Sequence, residues 1–211
     1  MLEVKKLSYK YNDQEILKDI NYTFEKNKIY SIIGKSGVGK STFLSLISGL
    51  EFSQQGELFY NQKKVTHYAS YRRNISYIFQ SFNLVSYLSS VENVKLALAI
   101  HNKTSNIESV ETILGQLGIR GENLTKRCSE LSGGQQQRVA IARAVALDTE
   151  LIIADEPTGN LDRDNAKQVM RLFQRLKESG KCVVIVTHDT SLEKHSDVVL
   201  TLEKGQLLTI N

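Results

Sequence analysis

Between residues 2 and 24 the apolar positions tend to alternate with polar ones, as at Ile16, Ile20, Tyr22 and Phe24, which predicts half-exposed strands of an antiparallel sheet. The pattern then changes. Residues 29–33 form a short continuous apolar run that ends in Gly34-Lys35-Ser36-Gly37-Val38-Gly39, after which Phe43, Leu44, Ile47 and Leu50 fall at helical spacing. That order reads strand, loop, helix. Residues 56–60 and 75–79 read as strands again, whereas Ile107, Val110, Ile113, Leu114 and Leu117 mark the buried face of a helix. Beyond Gly134 a helical stretch runs towards Leu147. It is followed by a strand over 151–154, a helix with Ala166, Val169, Met170, Phe173 and Leu176 inward, and a strand over 182–186. Strands alternating with helices imply right-handed crossovers and a parallel sheet with helices on its faces. Ligands then bind at the carboxyl ends of the strands. Chemistry is therefore expected after Ile33, Ala154 and Val186.

Composition narrows the class. With 211 residues, 41% hydrophobic and 24% charged, the chain is long enough for a proper core and far from the signature of disorder. No apolar run approaches the ~20 residues that span a bilayer, and the first ten residues lack the apolar block of a signal peptide. A soluble, intracellular chain is expected. Lys and Arg number 27 against 23 Asp and Glu, a formal charge of +4, and they are scattered, so no nucleic-acid partner is demanded. Cys128 and Cys182 have no Cys or His cluster around them, which supports neither a disulfide framework nor a zinc site and suits a reducing compartment. No repeat or linker divides the sequence, so residues 1–211 are expected to form one compact unit.

Three segments carry candidate chemistry. Residues 34–41, which end in Lys40 and Ser41 and are followed by Thr42, fit G-x-x-x-x-G-K-[ST] between an apolar strand and a helix, where phosphate binding needs it. Glycines let successive N–H groups curl inward around phosphate oxygens, and the helix start adds its positive field. Lys40 would bridge the β- and γ-phosphates and Ser41 would give a hydroxyl to Mg²⁺. A chance match in a chain of this size has odds of about one in a hundred. The strand over 151–154 ends in Asp155 and Glu156, where a core strand would ordinarily meet a turn. In a phosphate-loop fold Asp155 would hold Mg²⁺ through water, and Glu156 would orient or deprotonate the attacking water. Leu131-Ser132-Gly133-Gly134-Gln135 stands directly before a helical run, so Ser132 could cap that helix while the glycine amides remain free for an oxyanion.

Together these three elements resemble the ATP-binding cassette of ABC transporters, whose signature string Leu131 to Gln135 reproduces, in the family's order and over nearly the whole chain. The resemblance implies an α/β P-loop NTPase with a RecA-like parallel sheet, an N-terminal antiparallel β subdomain and a helical subdomain inserted over approximately residues 81–137. It also implies roles for single residues. Gln80 resembles the glutamine that contacts Mg²⁺ and moves with the membrane partner. His188 resembles the switch histidine at the γ-phosphate, Asn160, Leu161 and Asp162 the loop crossing the dimer interface, and Tyr11 the aromatic that stacks on adenine. Tyr9, two positions earlier on the same strand face, could equally be that ring. His67, His101 and His195 have no such setting and are expected at the surface.

The segments 80–94 and 156–162 resemble the branch that includes lipoprotein-release, macrolide and antimicrobial-peptide exporters and a cell-division regulator. Ser86 stands where that branch usually has proline, which alters the surface facing the membrane subunit. The sequence runs only a few residues past Gly205, so the regulatory domain that some importer cassettes carry is not expected. A phosphate loop and a signature facing different directions imply two chains related by a two-fold axis, each closing the other's ATP. The resemblance therefore implies an ATPase with ATP and Mg²⁺ as cofactors. It implies as partners a second ATP-binding subunit, forming a homodimer when ATP is bound, and an integral-membrane subunit contacted through residues 81–100. Its expected place is cytoplasmic, peripheral on the inner face of the cell membrane. Export of a peptide, lipoprotein or small hydrophobic compound is the first reading, and regulation of a membrane partner in division or wall control the second.

Overall fold

The computed structural model describes residues 1–104 and 106–210. In chain order, β1 (Leu2–Tyr11) and β2 (Gln14–Phe24) form a hairpin, followed by β3 (Lys28–Ile33), α1 (Lys40–Ile47), β4 (Gln55–Tyr60), β5 (Lys63–Lys64), α2 (Tyr68–Arg72) and β6 (Ile75–Ile78). Three helices come next: α3 (Ser90–Ile100), α4 (Ile107–Gln116) and α5 (Gly133–Ala146). The chain closes with β7 (Leu151–Asp155), α6 (Arg163–Glu178), β8 (Cys182–Val186), β9 (Val198–Glu203) and β10 (Gln206–Thr209). The strands form two sheets. The first is antiparallel in the order β2-β1-β4-β5, as alternation over residues 2–24 predicts. In the second, β10-β9-β3-β8-β7-β6, every neighbouring pair is parallel except β9 with β10. This is the α/β P-loop NTPase architecture.

Burial on both faces explains the unbroken apolar runs of the central strands. Side chains of β7 and β8 alternate between two cores. Ile152, Ala154, Val183 and Ile185 pack with α3 to α6, while Leu151, Ile153, Val184 and Val186 pack with α1 and the antiparallel sheet. Helices α3 and α5 both begin with reciprocal caps, Ser89 with Glu92 and Ser132 with Gln135. Each such box satisfies two of the N–H groups that a helix start leaves open. Helix α5 continues unbroken past residue 137, and the hydroxyl of Ser76 on β6 donates to the carbonyl of Ala144 at 2.7 Å. The helical segment is thereby anchored to the sheet that carries the chemistry.

Some apolar residues sit differently from what spacing alone predicts. Helix α1 stops at Ile47 because Gly49 takes φ 73°, so Leu50 lies outside the helix and exposed. Ile107 is exposed in the first turn of α4, Ala166 is half-buried, and Leu172 joins the buried face of α6. His67 and His195 are exposed, whereas His101 is half-buried, and burial lowers its pKa. Both cysteines are free and buried. Among the described residues no helix is long and apolar enough to cross a membrane.

Glu150, immediately before β7, ties the amino ends of the central strands to the antiparallel sheet. Its carboxylate accepts from Lys26 Nζ at 2.6 Å, Tyr60 Oη at 3.0 Å and Asn61 Nδ2 at 3.2 Å. The Lys26 contact comes first among the causes that hold its pKa down to about 2, against an ordinary 4.5. A carboxylate depressed on folding stabilises the fold fully above its unfolded pKa and loses that contribution as pH falls towards the folded value. Glu150→Gln should therefore destabilise the protein at pH 7 by about 1 kcal/mol, solvent screening limiting the gain from this half-exposed cluster. In urea unfolding the difference from the parent should shrink between about pH 4.5 and pH 2. A difference independent of pH across that window would contradict the assignment.

Candidate functional site

The carboxyl ends of β3, β7 and β8 open into a cleft of about 670 Å³, lined by Lys40, Ser41, Gln80, Asp155, Glu156 and His188, with Tyr9 and Tyr11 at its outer end. These are the strand ends that the alternating pattern singles out. The loop after β3 bends through Gly39, at φ 106°, directly into α1. A Cβ on Gly39 would stand 2.6 Å from Cγ2 of Ile16, so only glycine lets the loop lie this close to β2. Lys40 Nζ donates to the carbonyls of Gly34 at 2.7 Å and Lys35 at 3.0 Å, which folds its ammonium back over the loop. Ser36, Gly37 and Thr42 also line the cleft. Val38 packs towards the core beneath it, and Lys35 is exposed away from the lining.

Asp155 is buried at the end of β7 beside the hydroxyl of Ser41. Burial raises its pKa, which the Ser41 hydrogen bond and the Lys40 charge oppose. Asp155, Ser41 and Gln80 line the same cleft, and their oxygens make a set suited to a hard divalent cation that keeps most of its waters. Among the described residues no three His, Cys, Asp or Glu gather into a metal cluster. Glu156 adopts φ 50°, a strained conformation for a non-glycine residue. Its N–H donates to the carbonyl of Val186 at 2.9 Å, and one carboxylate oxygen lies 2.9 Å from His188 Nδ1. The other, Oε2, is buried with no hydrogen-bond partner among the described residues. Tyr11 is 68% exposed, while Tyr9 is half-buried and packs on the core.

Residues 131–135 do not join this cleft. Leu131 is buried, but Ser132 and Gly133 are exposed at the start of α5. The Ser132 hydroxyl accepts from Gln135 N at 3.3 Å, and Gln135 Oε1 accepts from Ser132 N at 2.8 Å. The first-turn amides of Gly133 and Gly134 have no acceptor within the helix. A Cβ on Gly134 would lie 3.2 Å from the carbonyl of Asn160, so the signature turn and the loop 160–162 touch. Asp162 caps α6, accepting from Asp164 N at 3.1 Å and Asn165 N at 2.9 Å, with Leu161 packed on the core behind it.

Two side chains of α5 that no sequence motif singles out hold these loops. Gln137, fully buried, donates from Nε2 to the carbonyl of Glu156 at 2.8 Å and accepts from Asn160 N at 3.1 Å. It clamps the turn that carries Glu156 to the helix that carries the signature. Arg143 donates to the carbonyls of Asn83 at 2.5 Å and Phe82 at 2.8 Å, holding two residues at φ 49° and 62° just after Gln80. Gln137→Ala should cut kcat for nucleotide hydrolysis about ten- to a hundredfold with little change in KM, because it frees the turn without touching the phosphate loop. Steady-state kinetics checks this, and an equal rise in KM would contradict it.

Residues 17–159 match the family model described as ABC transporter. The chain is 44% identical over 203 residues to an uncharacterized ABC transporter ATP-binding protein, YclH, of Bacillus subtilis (strain 168), covering 93% of this chain and 90% of that one. It is 35% identical over 212 residues to the macrolide export ATP-binding/permease protein MacB of Shewanella sp. (strain ANA-3), covering 96% of this chain but only 32% of MacB. The chain thus spans about a third of that relative. A solved dimeric structure of a post-hydrolysis state of the ATP-binding cassette MJ0796, bound to ADP and Pi, superimposes with a TM-score of 0.91. Its identity is 32%, with 100% of this chain and 99% of that one covered.

Proposed function

This chain belongs to the ABC transporter family of ATP-binding cassettes, and we propose that it is the ATP-hydrolysing subunit of an exporter, working as a head-to-tail dimer beneath a separate membrane subunit. One observation carries the reading. A cleft equipped for triphosphate chemistry and an exposed, anion-ready helix start lie on one chain without meeting, so a second copy must bring the latter to the former. The MJ0796 cassette is itself dimeric. In such a pair Ser132 and the amides of Gly133 and Gly134 from one copy close on the γ-phosphate held by Lys40 and the loop 34–41 of the other, in an isologous interface.

Within each site the residues divide the work. Tyr11, the more exposed ring, stacks on adenine, while the ammonium of Lys40 leaves the Gly34 and Lys35 carbonyls for the β- and γ-phosphate oxygens. Ser41, Asp155 and Gln80 would hold Mg²⁺, which supplies charge neutralisation at the phosphates. Glu156 takes the proton of the attacking water, and His188, paired to the Glu156 carboxylate, orients it and reaches the γ-phosphate. Loss of the γ-phosphate removes the group that both copies grip, and the dimer opens.

The membrane subunit would dock in a cleft of about 370 Å³ between the sheet and α3, lined by Leu50, Phe79, Val85, Leu96 and Ile100 and floored by Arg143, which grips the loop after Gln80. Docking there places the chain on the cytoplasmic face of the membrane. A peptide, lipoprotein or small hydrophobic compound is the cargo class, in line with the macrolide export for which MacB is named. The double variant Leu96→Glu/Ile100→Glu should lose co-purification with the integral-membrane subunit from detergent-solubilised membranes, while the purified chain keeps its basal ATPase rate. Undiminished capture of that subunit would overturn the docking site.

A further inference from the structure

We propose that the cleft between the end of α4 and the outer face of α6 is a second anion site, built to take a phosphate-bearing ligand outside the nucleotide cleft. It encloses about 450 Å³, and three guanidinium groups meet in it: Arg120 from the turn after α4, and Arg171 and Arg175 from α6. Gln116 and Gln168 add amide groups, and the buried Leu172 forms the floor. Arg171 and Arg175 are four residues apart and so share one helix face, where like charges repel. Arg120 donates from Nε to the carbonyl of Gly115 at 3.2 Å, which fixes its planar fork at the cleft rim and leaves its two terminal nitrogens for a ligand.

What sets these arginines apart is that the three share one concavity that no carboxylate lines. Every ion pair among the described residues uses a lysine or His188 as its cation, and none reaches Arg120, Arg171 or Arg175. Glu122 and Asp164 are engaged with Lys126 and Lys167, and Glu178, three residues after Arg175, does not line the cleft. A solvated basic face would scatter its charges along one helix. Here two separate elements bring them to one concavity with no carboxylate lining it. Guanidinium forks bind phosphate oxygens two at a time, so the chemistry that fits is a compact phosphate anion, supplied by a soluble phosphorylated small molecule or by an anionic lipid headgroup.

Two arms of one experiment test this on the full chain saturated with ADP, so that the phosphate loop is filled. Pyrophosphate binding is measured by titration calorimetry, and co-sedimentation is measured with vesicles of phosphatidylglycerol against vesicles of phosphatidylcholine. At least one anionic probe should bind, more weakly as salt rises, and Arg171→Gln/Arg175→Gln should weaken it at least tenfold while leaving the melting temperature and the basal ATPase rate unchanged. Pyrophosphate binding identifies the soluble source, and binding to phosphatidylglycerol vesicles alone identifies the headgroup. No binding in either arm, or binding that the double variant leaves intact, would overturn the site.

Discussion

Replacing Glu156 by glutamine is expected to lower kcat for ATP hydrolysis about a thousandfold while leaving ATP affinity within about twofold of the parent. The side chain keeps its size and its contact with His188 Nδ1, and the strained turn at φ 50° is held through the backbone by Gln137 and Val186. What the amide cannot do is accept a proton from water. One of the two carboxylate oxygens, Oε2, is buried with no partner among the described residues. Single-turnover hydrolysis and equilibrium ATP binding measured on the same preparation separate the two effects. Hydrolysis at the native rate would remove Glu156 from the role of base.

Lys40→Ala should act in the opposite way, weakening ATP binding roughly ten- to a hundredfold. A charge-assisted hydrogen bond to phosphate contributes about 1.5–3 kcal/mol, and alanine leaves nothing to replace the ammonium. The fold itself should be little affected, because among the described residues Lys40 hydrogen-bonds to carbonyls of its own loop. Calorimetric titration with ATP alongside a melting curve checks both statements. An unchanged affinity would contradict the phosphate role of the loop 34–41.

Much of this architecture is local in the sequence. The phosphate loop, the acidic strand end and the string 131–135 are contiguous, because each is a short backbone conformation followed or preceded by one regular element. Two-residue and continuous apolar patterns likewise separate the half-exposed strands β1 and β2 from the doubly buried β7 and β8, since burial on one face or two leaves different traces. Helix ends are less legible: Leu50 keeps the spacing of α1, yet Gly49 has already turned the chain. The edge strand β10 carries only four residues, too few to show a period.

Gln137, Arg143 and Glu150 escape sequence reading for a different reason. Their partners are remote along the chain, Glu156 and Asn160 for the first, Phe82 and Asn83 for the second, Lys26, Tyr60 and Asn61 for the third. A glutamine inside a helix gives no sign that both ends of its amide are engaged by another segment. These cross-links also explain why the loops can hold positive φ angles at Phe82, Asn83 and Glu156: the strain is opposed by hydrogen bonds from a single helix, α5. The same helix begins at the signature turn, so movement of that turn by a second copy would be felt at Gln80 and Glu156 together.

Sedimentation velocity of the Glu156→Gln chain, with and without ATP, asks most directly whether triphosphate is clamped between two copies. A species of twice the monomer mass should appear only with ATP and vanish when Ser132 is also changed to arginine, which blocks the exposed turn without reaching the nucleotide cleft of its own chain. A chain that binds ATP at saturation and still sediments as a monomer would contradict the account.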